Sequence, residues 1–352
     1  MDWLFDPLLS GADAVGEYLA EHVITCLIPA FFIAGAIAAF VKKDAILKYF
    51  GPDAKKSVSY ALASVSGTVL AVCSCTILPL FAGIYKKGSG IGPATTFLFA
   101  GPAINVLAVI YTAQVLGYDL GIARAASAIV LSVLVGLTMS VVFRNERTAV
   151  KGSSMSVIAS GEERPGWVTL AFFGLMVAIL VIGASKLEWV PKLAIVYVLT
   201  IVVAILLIYY FKRDEVTEWG YETWDLTKKI LPILIAGTFV VGVIAYYLPP
   251  DTFADYLGGN SLGSVLLGAV IGTILYMPTL LEVPIIGTTF GYSDGVMGGG
   301  PALALLLSGP TISLPSLVVL YRIMGGRKTL VYTGLVILFS TIGGMIYGNL
   351  FA

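Results

Sequence analysis

Long apolar runs without a charged residue recur along this chain and limit what it can fold into. Residues 24–41, 171–185 and 193–211 each contain no Asp, Glu, Lys or Arg. About 20 apolar residues are needed to cross the hydrocarbon core of a bilayer as a helix. Charged residues make up only 12% of the chain, against about 25% in ordinary soluble domains. Because several such runs cannot all form the core of one soluble fold, the sequence predicts an all-α integral membrane protein.

The chain contains ten apolar segments, which admit two topologies. They are residues 22–41, 57–85, 93–114, 120–143, 166–184, 192–211, 227–247, 261–290, 300–321 and 329–350. If all ten cross the bilayer, the 21 Lys and Arg residues divide 11 to 10 between its two sides, which gives no orientation. If 57–85 and 261–290 are re-entrant hairpins, 18 of the 21 fall on one side. Since Lys and Arg collect in short cytoplasmic loops, we expect about eight transmembrane helices plus two re-entrant broken-helix hairpins, with both termini outside.

The spacing of Gly and Pro residues repeats between the two halves of the chain. Two patterns recur with unchanged separations: Gly67-Thr68 with Pro79 as Gly272-Thr273 with Pro284, and Gly92-Pro93 with Gly101-Pro102 as Gly300-Pro301 with Gly309-Pro310. Chance alignment of residues that are common in membrane helices is the alternative, but order and spacing both hold. In the hairpin topology five crossings separate the two starting points, and an odd number makes the repeats inverted.

The repeats define the expected organisation of the chain. It consists of an N-terminal tail (1–21), a first repeat (22–143, with hairpin 57–85), a cytoplasmic linker (144–165), a connecting helix pair (166–211) and a second repeat (227–350, with hairpin 261–290). The predicted cytoplasmic loops are 42–56, 85–92, 144–165, 212–229 and 322–328. Inverted repeats with broken helices are typical of secondary transporters, whose substrate site lies where the repeats meet. We therefore expect the breaks to line a cavity, because non-helical backbone at membrane depth is otherwise not tolerated.

Two cysteines lie at the predicted tip of the first hairpin, in the sequence Cys73-Ser74-Cys75. Two sulfur ligands so close together favour a soft, thiophilic species over a hard cation. The alternative is that these cysteines pack as small hydrophobic residues. We predict that Cys73, Ser74 and Cys75 contact the solute.

Glu282 is the one acidic residue deep inside a predicted membrane segment. Charged side chains at that depth are costly and usually belong to ion pathways or proton relays. The alternative is a structural carboxyl that hydrogen-bonds to the loose backbone between Pro278 and Pro284. We predict a proton-coupling role for Glu282.

Small polar residues follow the helix breaks. A Gly-Pro pair frees a backbone carbonyl, because proline has no N–H to donate, and the helix N-terminus beyond the break attracts anionic groups. Four residues are predicted to complete a substrate shell at these breaks: Asn105, Thr279, Ser308 and Ser313. The predicted helix-break residues are Pro79, Gly101, Pro102, Pro278, Pro284, Gly309 and Pro310. The alternative for each polar residue is helix packing in lipid.

Other features argue against several classes of protein. The net charge is zero, so bulk electrostatics predicts no nucleic-acid partner. A single His and no His/Cys cluster argue against a zinc or haem cofactor, and there is no P-loop. We expect a small-molecule or ion substrate, no cofactor and no enzymatic activity, and the lipid bilayer as the surroundings.

A long motif resembles a family of predicted permeases. It comprises Cys73-Ser-Cys-Thr-Ile-Leu-Pro-Leu-Phe-Ala-Gly-Ile-Tyr-Lys-Lys-Gly88 and Gly92-Pro-Ala-Thr-Thr-Phe-Leu-Phe-Ala-Gly-Pro-Ala-Ile-Asn105. The family includes the ArsP-type organoarsenical efflux permeases and the YraQ-like proteins. The resemblance implies a multi-pass plasma-membrane permease. For some members it implies export of trivalent organoarsenicals, which are thiophilic and suit the cysteine pair.

Three functions remain open at this point. The first is a secondary-active permease for a small solute, such as a trivalent organoarsenical. The second is a passive, channel-like facilitator, which needs no coupling residue. The third is a membrane thiol–disulfide carrier that uses Cys73 and Cys75, although a Cys-x-Cys disulfide closes a small strained ring.

Overall fold

The described part of the chain is built from helices. A computed structural model describes residues 2–20, 27–40, 54–70, 74–144, 165–185, 188–247, 256–274 and 282–351. The helices are α1 (Asp2–Tyr18), α2 (Ile28–Phe40), α3 (Lys56–Leu70), α4 (Ser74–Lys86), α5 (Ile91–Ala103), α6 (Val106–Val115), α7 (Tyr118–Val142), α8 (Gly166–Ala184), α9 (Trp189–Tyr210), α10 (Arg213–Tyr247), α11 (Leu262–Ile274), the short α12 (Glu282–Pro284) with the π-helix Ile285–Thr289, α13 (Gly299–Ser308), α14 (Leu314–Met324) and α15 (Gly326–Leu350). These residues contain no strand. Helices satisfy their own backbone hydrogen bonds, as a chain in lipid must, and the all-α prediction is confirmed.

Three of the described helices, α7, α9 and α15, are long and apolar enough to cross a membrane. A fourth span is possible if α5 and α6 are taken together, and these two helices are bent by 42° at the break between them. The other apolar helices, including α2, α11, α13 and α14, are shorter. The eight-crossing topology with two hairpins therefore stays a prediction.

Two segments outside the predicted apolar segments are helical. Within the predicted tail 1–21, Asp2–Tyr18 form α1, which packs against α10 through Gly11 and Gly242, and the Ser10 hydroxyl donates to the Gly242 carbonyl at 3.0 Å. The loop predicted at 212–229 is wrong, because these residues form the polar first half of α10. Acidic residues in the first helical turn favour that start. Lys229 donates to Asp225 one turn earlier at 2.6 Å and thereby lowers the pKa of Asp225.

Basic segments meet at one end of the bundle. Lys86, at the end of α4, pairs with Glu222 of α10 at 2.6 Å. The Lys328 ammonium, at the start of α15, donates to the Tyr85 hydroxyl at 3.3 Å and lies 5.9 Å from the Phe143 ring centroid at the end of α7. Residues of three segments predicted to be cytoplasmic, 85–92, 212–229 and 322–328, thus come together at this end, beside the end of α7.

The opposite end brings the start of α7 against the end of α15. Asp119 and Tyr292 both lie within electrostatic range of Tyr347. Because the end of α7 lies beside the start of α15 at the basic end, the two helices run antiparallel. They pack against each other along their length.

The repeated glycines form two matching helix contacts. A Cβ atom at Gly136 of α7 would lie 2.6 Å from the Gly92 carbonyl oxygen of α5. A Cβ atom at Gly344 of α15 would lie 2.5 Å from the Gly300 carbonyl oxygen of α13. Both distances are too short for any side chain, so glycine is what allows these backbones to approach closely. The same sequence spacing therefore produces the same packing in both halves.

Candidate functional site

A fully buried arginine lies on α7. Arg124 has an exposed fraction of 0%, about 9 Å along the helix from its first residue at 1.5 Å rise per residue. Its Nη1 donates to the Thr112 hydroxyl of α6 at 2.9 Å, and its Nε donates to the Ala103 carbonyl at 3.4 Å. That carbonyl belongs to the last residue of α5, immediately after Gly101-Pro102. The side chain thus lies at the break between α5 and α6.

A fully buried glutamate from the second half of the chain faces this arginine. Glu282 begins α12, and its Oε1 lies 2.5 Å from Arg124 Nη2. Its Oε2 has no hydrogen-bond partner among the residues that the structure describes and lies toward the second break, 3.5 Å from where a Cβ at Gly309 would lie. Of the ion pairs found among the described residues, the Arg124–Glu282 pair is the one in which both side chains are fully buried.

This pair is costly to bury, and the stability of the protein depends on both partners being present. Removing two charges from water costs several kcal/mol per ion in real proteins, on the order of what their attraction returns. Removal of one partner leaves an uncompensated charge and typically costs about 3–5 kcal/mol. Replacing a buried ion pair with apolar residues of similar volume often leaves a protein equally stable or makes it more stable. A pair at membrane depth is therefore best explained by a functional requirement.

The two residues predicted after the Gly-Pro breaks cap the helices that follow. Asn105 accepts a hydrogen bond from the Leu107 N–H at 3.0 Å and caps α6. The Ser313 N–H donates to the Ser316 hydroxyl at 2.7 Å in a capping box at the start of α14. Both residues are buried. They lie at the predicted helix starts, and their role as substrate ligands stays a prediction.

Ser308 lies at the second break, as the last residue of α13. It is fully buried, and a Cβ atom at Gly272 of α11 would meet its hydroxyl oxygen. The repeated Gly272-Thr273 motif therefore packs directly against the Gly309-Pro310 break. Glu282 approaches the same break from its other neighbour, α12.

The remaining predicted residues are described in part. Cys73, Pro278 and Thr279 lie outside the described residues, and Ser74 and Cys75 are described only as the backbone at the start of α4. Pro79 lies within α4, Gly101 and Pro102 form the last turn of α5, and Pro284 ends α12. Gly309 is the C-cap residue of α13, and Pro310 lies in the turn that follows. No cluster of His, Cys, Asp or Glu that fits a metal ion occurs among the described residues.

Sequence reasoning identified Glu282 but missed its partner, Arg124, which lies just inside the predicted segment 120–143. Its location was the available signal, because opposite charges within membrane segments usually pair with each other. The two residues are 158 positions apart, so only the fold brings them together.

The chain was compared with known proteins. The profile of a family described as a predicted permease, ArsP_1, matches residues 8–349. The UPF0718 protein MJ0584 of Methanocaldococcus jannaschii is 42% identical over 346 residues, covering 94% of this chain and 93% of the relative. The UPF0718 protein YraQ of Escherichia coli is 24% identical over 319 residues, covering 90% and 74%. No solved structure matches. These matches confirm the resemblance that the sequence motif indicated.

Proposed function

Since the chain belongs to the predicted-permease family ArsP_1 and is a multi-pass membrane permease, we propose that it works as a secondary-active transporter. It moves a small solute through a site between two inverted repeats. It lies in the plasma membrane with both termini outside, and it crosses the bilayer about eight times with two re-entrant hairpins.

The packing of corresponding helices supports the inverted relation. Helices α7 and α15 occupy equivalent positions in the two halves, run antiparallel and contact each other. The pattern continues in their neighbours, because α3 packs on α5 and α7 as α11 packs on α13 and α15. Contacts across the interface are matched as well: α4 packs on α14, and α12 packs on α6. Antiparallel counterparts are what a two-fold axis in the membrane plane produces.

The Arg124–Glu282 ion pair is the observation that carries the proposal. It joins α7 of the first half to α12 of the second, at the two broken helices. Movement of one repeat against the other requires this pair to separate, and leaving the Glu282 carboxylate unpaired at membrane depth is costly. Uptake of a proton by Glu282 neutralises the carboxylate and couples that movement to a proton gradient.

The solute class follows from the cysteine tip. Cys73 and Cys75 favour a thiophilic solute such as a trivalent organoarsenical. Ser74, Asn105, Thr279, Ser308 and Ser313 complete the shell of polar groups around it.

Flux measurements in everted membrane vesicles test the proposal, with phenylarsine oxide as a trivalent organoarsenical. We expect saturable accumulation that changes with an imposed pH gradient, and a Glu282→Gln variant whose flux no longer responds to that gradient. Glu188→Gln is the matched control, because Glu188 is exposed at the start of α9. Flux that never saturates favours a passive facilitator, and a gradient response retained by Glu282→Gln excludes coupling through Glu282.

The role of the cysteines is tested separately in the same vesicles. We expect the Cys73→Ala/Cys75→Ala variant to lose phenylarsine oxide flux while the protein still folds and inserts. Unchanged flux in that variant removes sulfur ligation from the mechanism.

A further inference from the structure

The Arg124 guanidinium is held by the protein in an incomplete way. An arginine has five N–H donors in a planar fork that fits a carboxylate or an oxyanion with two parallel hydrogen bonds. Here Glu282 takes only one end of that fork, through Oε1, while Oε2 is buried and has no hydrogen-bond partner within the part of the chain that the structure describes. The other contacts are one hydroxyl and one distant carbonyl. The guanidinium therefore has the capacity to bind an anion more completely than it binds Glu282.

The described surroundings of Glu282 provide no second charge that takes over from Arg124. Among the described residues, Arg124 is the charged group that acts on Glu282. Helix α6, which packs on α12, contributes the Thr112 hydroxyl that accepts from Arg124. Neither α6 nor the π-helix Ile285–Thr289 contains an Asp, Glu, Lys or Arg residue. If Glu282 leaves Arg124, another anion must replace it, and the freed carboxylate must take up a proton.

We propose that Arg124 is an anion-binding residue of the transport site and that Glu282 occupies it only when that anion is absent. This inference rests on the proposed function and adds to it a ligand that carries a single negative charge on a carboxylate or an oxyanion, which the uncharged phenylarsine oxide does not. On binding, the anion pairs with the guanidinium, and the Glu282 carboxylate gains one proton to become a carboxylic acid. The arginine keeps its charge throughout. One proton is taken up per anion, and the site is electrically neutral before and after.

Chemical rescue in a variant that lacks the internal carboxylate tests this proposal. In purified Glu282→Ala protein, sodium formate replaces the missing group, and we expect its saturation to raise the Tm by about 2 °C or more. Formamide, which is uncharged, and the Arg124→Gln/Glu282→Ala double variant serve as controls in which no shift is expected. An equal formate shift in the double variant, or none in Glu282→Ala, overturns the proposal. If Glu282→Ala does not fold, Glu282→Gln is measured in the same way.

Proton uptake by the unmodified protein separates anion exchange from a purely structural ion pair. Formate is added to weakly buffered protein near neutral pH, where formate itself binds no protons. We expect uptake of up to one proton per chain in the wild type and none in Glu282→Gln. If formate rescues the variant but the wild type takes up no protons, the pair is structural and the exchange is overturned.

The flux assay distinguishes this inference from the proposed function. If phenylarsine oxide flux is saturable and coupled to the pH gradient while both formate experiments are negative, the chain is a coupled transporter without an anion site at Arg124.

Discussion

At the scale of single residues, the molecule depends on two charges that the chain brings together from its two halves. The apolar sequence around Glu282 is enough to identify it as unusual, since its cost in lipid is independent of the fold. Its partner was not predictable in the same way, because pairing depends on how α7 and α12 are placed. Asn105 and Ser313 were predicted from the Gly-Pro pairs, whose effect on the backbone is local, and both lie at helix starts.

A double-mutant cycle at the buried pair has a definite expected outcome. Arg124→Gln leaves Glu282 buried without a counter-charge and should lower the free energy of unfolding by about 3–5 kcal/mol. Adding Glu282→Gln removes that charge and should recover most of the loss. Thermal unfolding of the purified variants in detergent measures both effects. If the free-energy losses of Arg124→Gln and Glu282→Gln simply add in the double variant, the two side chains do not form a stabilising ion pair.

At the scale of helices, hydropathy locates most elements but misses those that lie partly in water. The α5–α6 break was predicted because Gly101-Pro102 removes local backbone hydrogen bonds. The first half of α10 was not, because it is polar and hydropathy responds only to lipid-facing segments. Its helix is stabilised instead by acidic residues in the first turn and by the Asp225–Lys229 pair, which an apolar-run criterion does not detect.

The close contact between α13 and α15 is tested by a pair of glycine substitutions on one helix. Gly344→Ala places a Cβ 2.5 Å from the Gly300 carbonyl oxygen and should destabilise the protein by about 1–3 kcal/mol. Gly334→Ala has nothing within 4 Å of its Cβ and should be neutral or mildly stabilising. Their Tm values provide the comparison. If the two substitutions change the Tm equally, close backbone contact at Gly344 is not the reason why this glycine is repeated.

Asn260 links α13 and α15 through two hydrogen bonds, one at the start of α13 and one near the end of α15. Its Oδ1 accepts from the Gly300 N–H at 2.8 Å, and its Nδ2 donates to the Gly348 carbonyl at 2.7 Å. Asn260→Ala should cost about 1–3 kcal/mol, because it leaves buried backbone groups unpaired. Asn349→Ala, at an exposed site on α15, is the control and should change the Tm little. If the Tm of Asn260→Ala is as high as that of the control, the two hydrogen bonds of Asn260 do not stabilise this contact.

At the scale of the whole molecule, charge distribution carried more information than hydropathy. The uneven placement of Lys and Arg predicted which loops share a side, and Lys86, Lys328 and Phe143 do meet at one end. Hydropathy alone cannot distinguish a crossing from a hairpin, because both are apolar.

Accessibility labelling tests the predicted orientation. In a chain with Cys26, Cys73 and Cys75 changed to Ser, single cysteines are placed at Lys55, Lys86 and Asp294. We expect a membrane-impermeant maleimide applied outside intact cells to label Asp294→Cys, and to label Lys55→Cys and Lys86→Cys only after lysis. Labelling of Lys86→Cys from outside, with Lys55→Cys protected, overturns the hairpin topology.

The antiparallel contact of α7 and α15 has a consequence for energetics. The position on α15 that corresponds to Arg124 is Tyr332, 208 residues later, as Gly344 is to Gly136. Tyr332 is also fully buried, and its hydroxyl has no hydrogen-bond partner among the described residues. In the proposed transporter the two halves would therefore not be equivalent, because a buried ion pair lies at one end of the α7–α15 contact and an uncharged phenol lies at the matching position at the other. We expect the inward-open and outward-open conformations to differ in free energy for this reason.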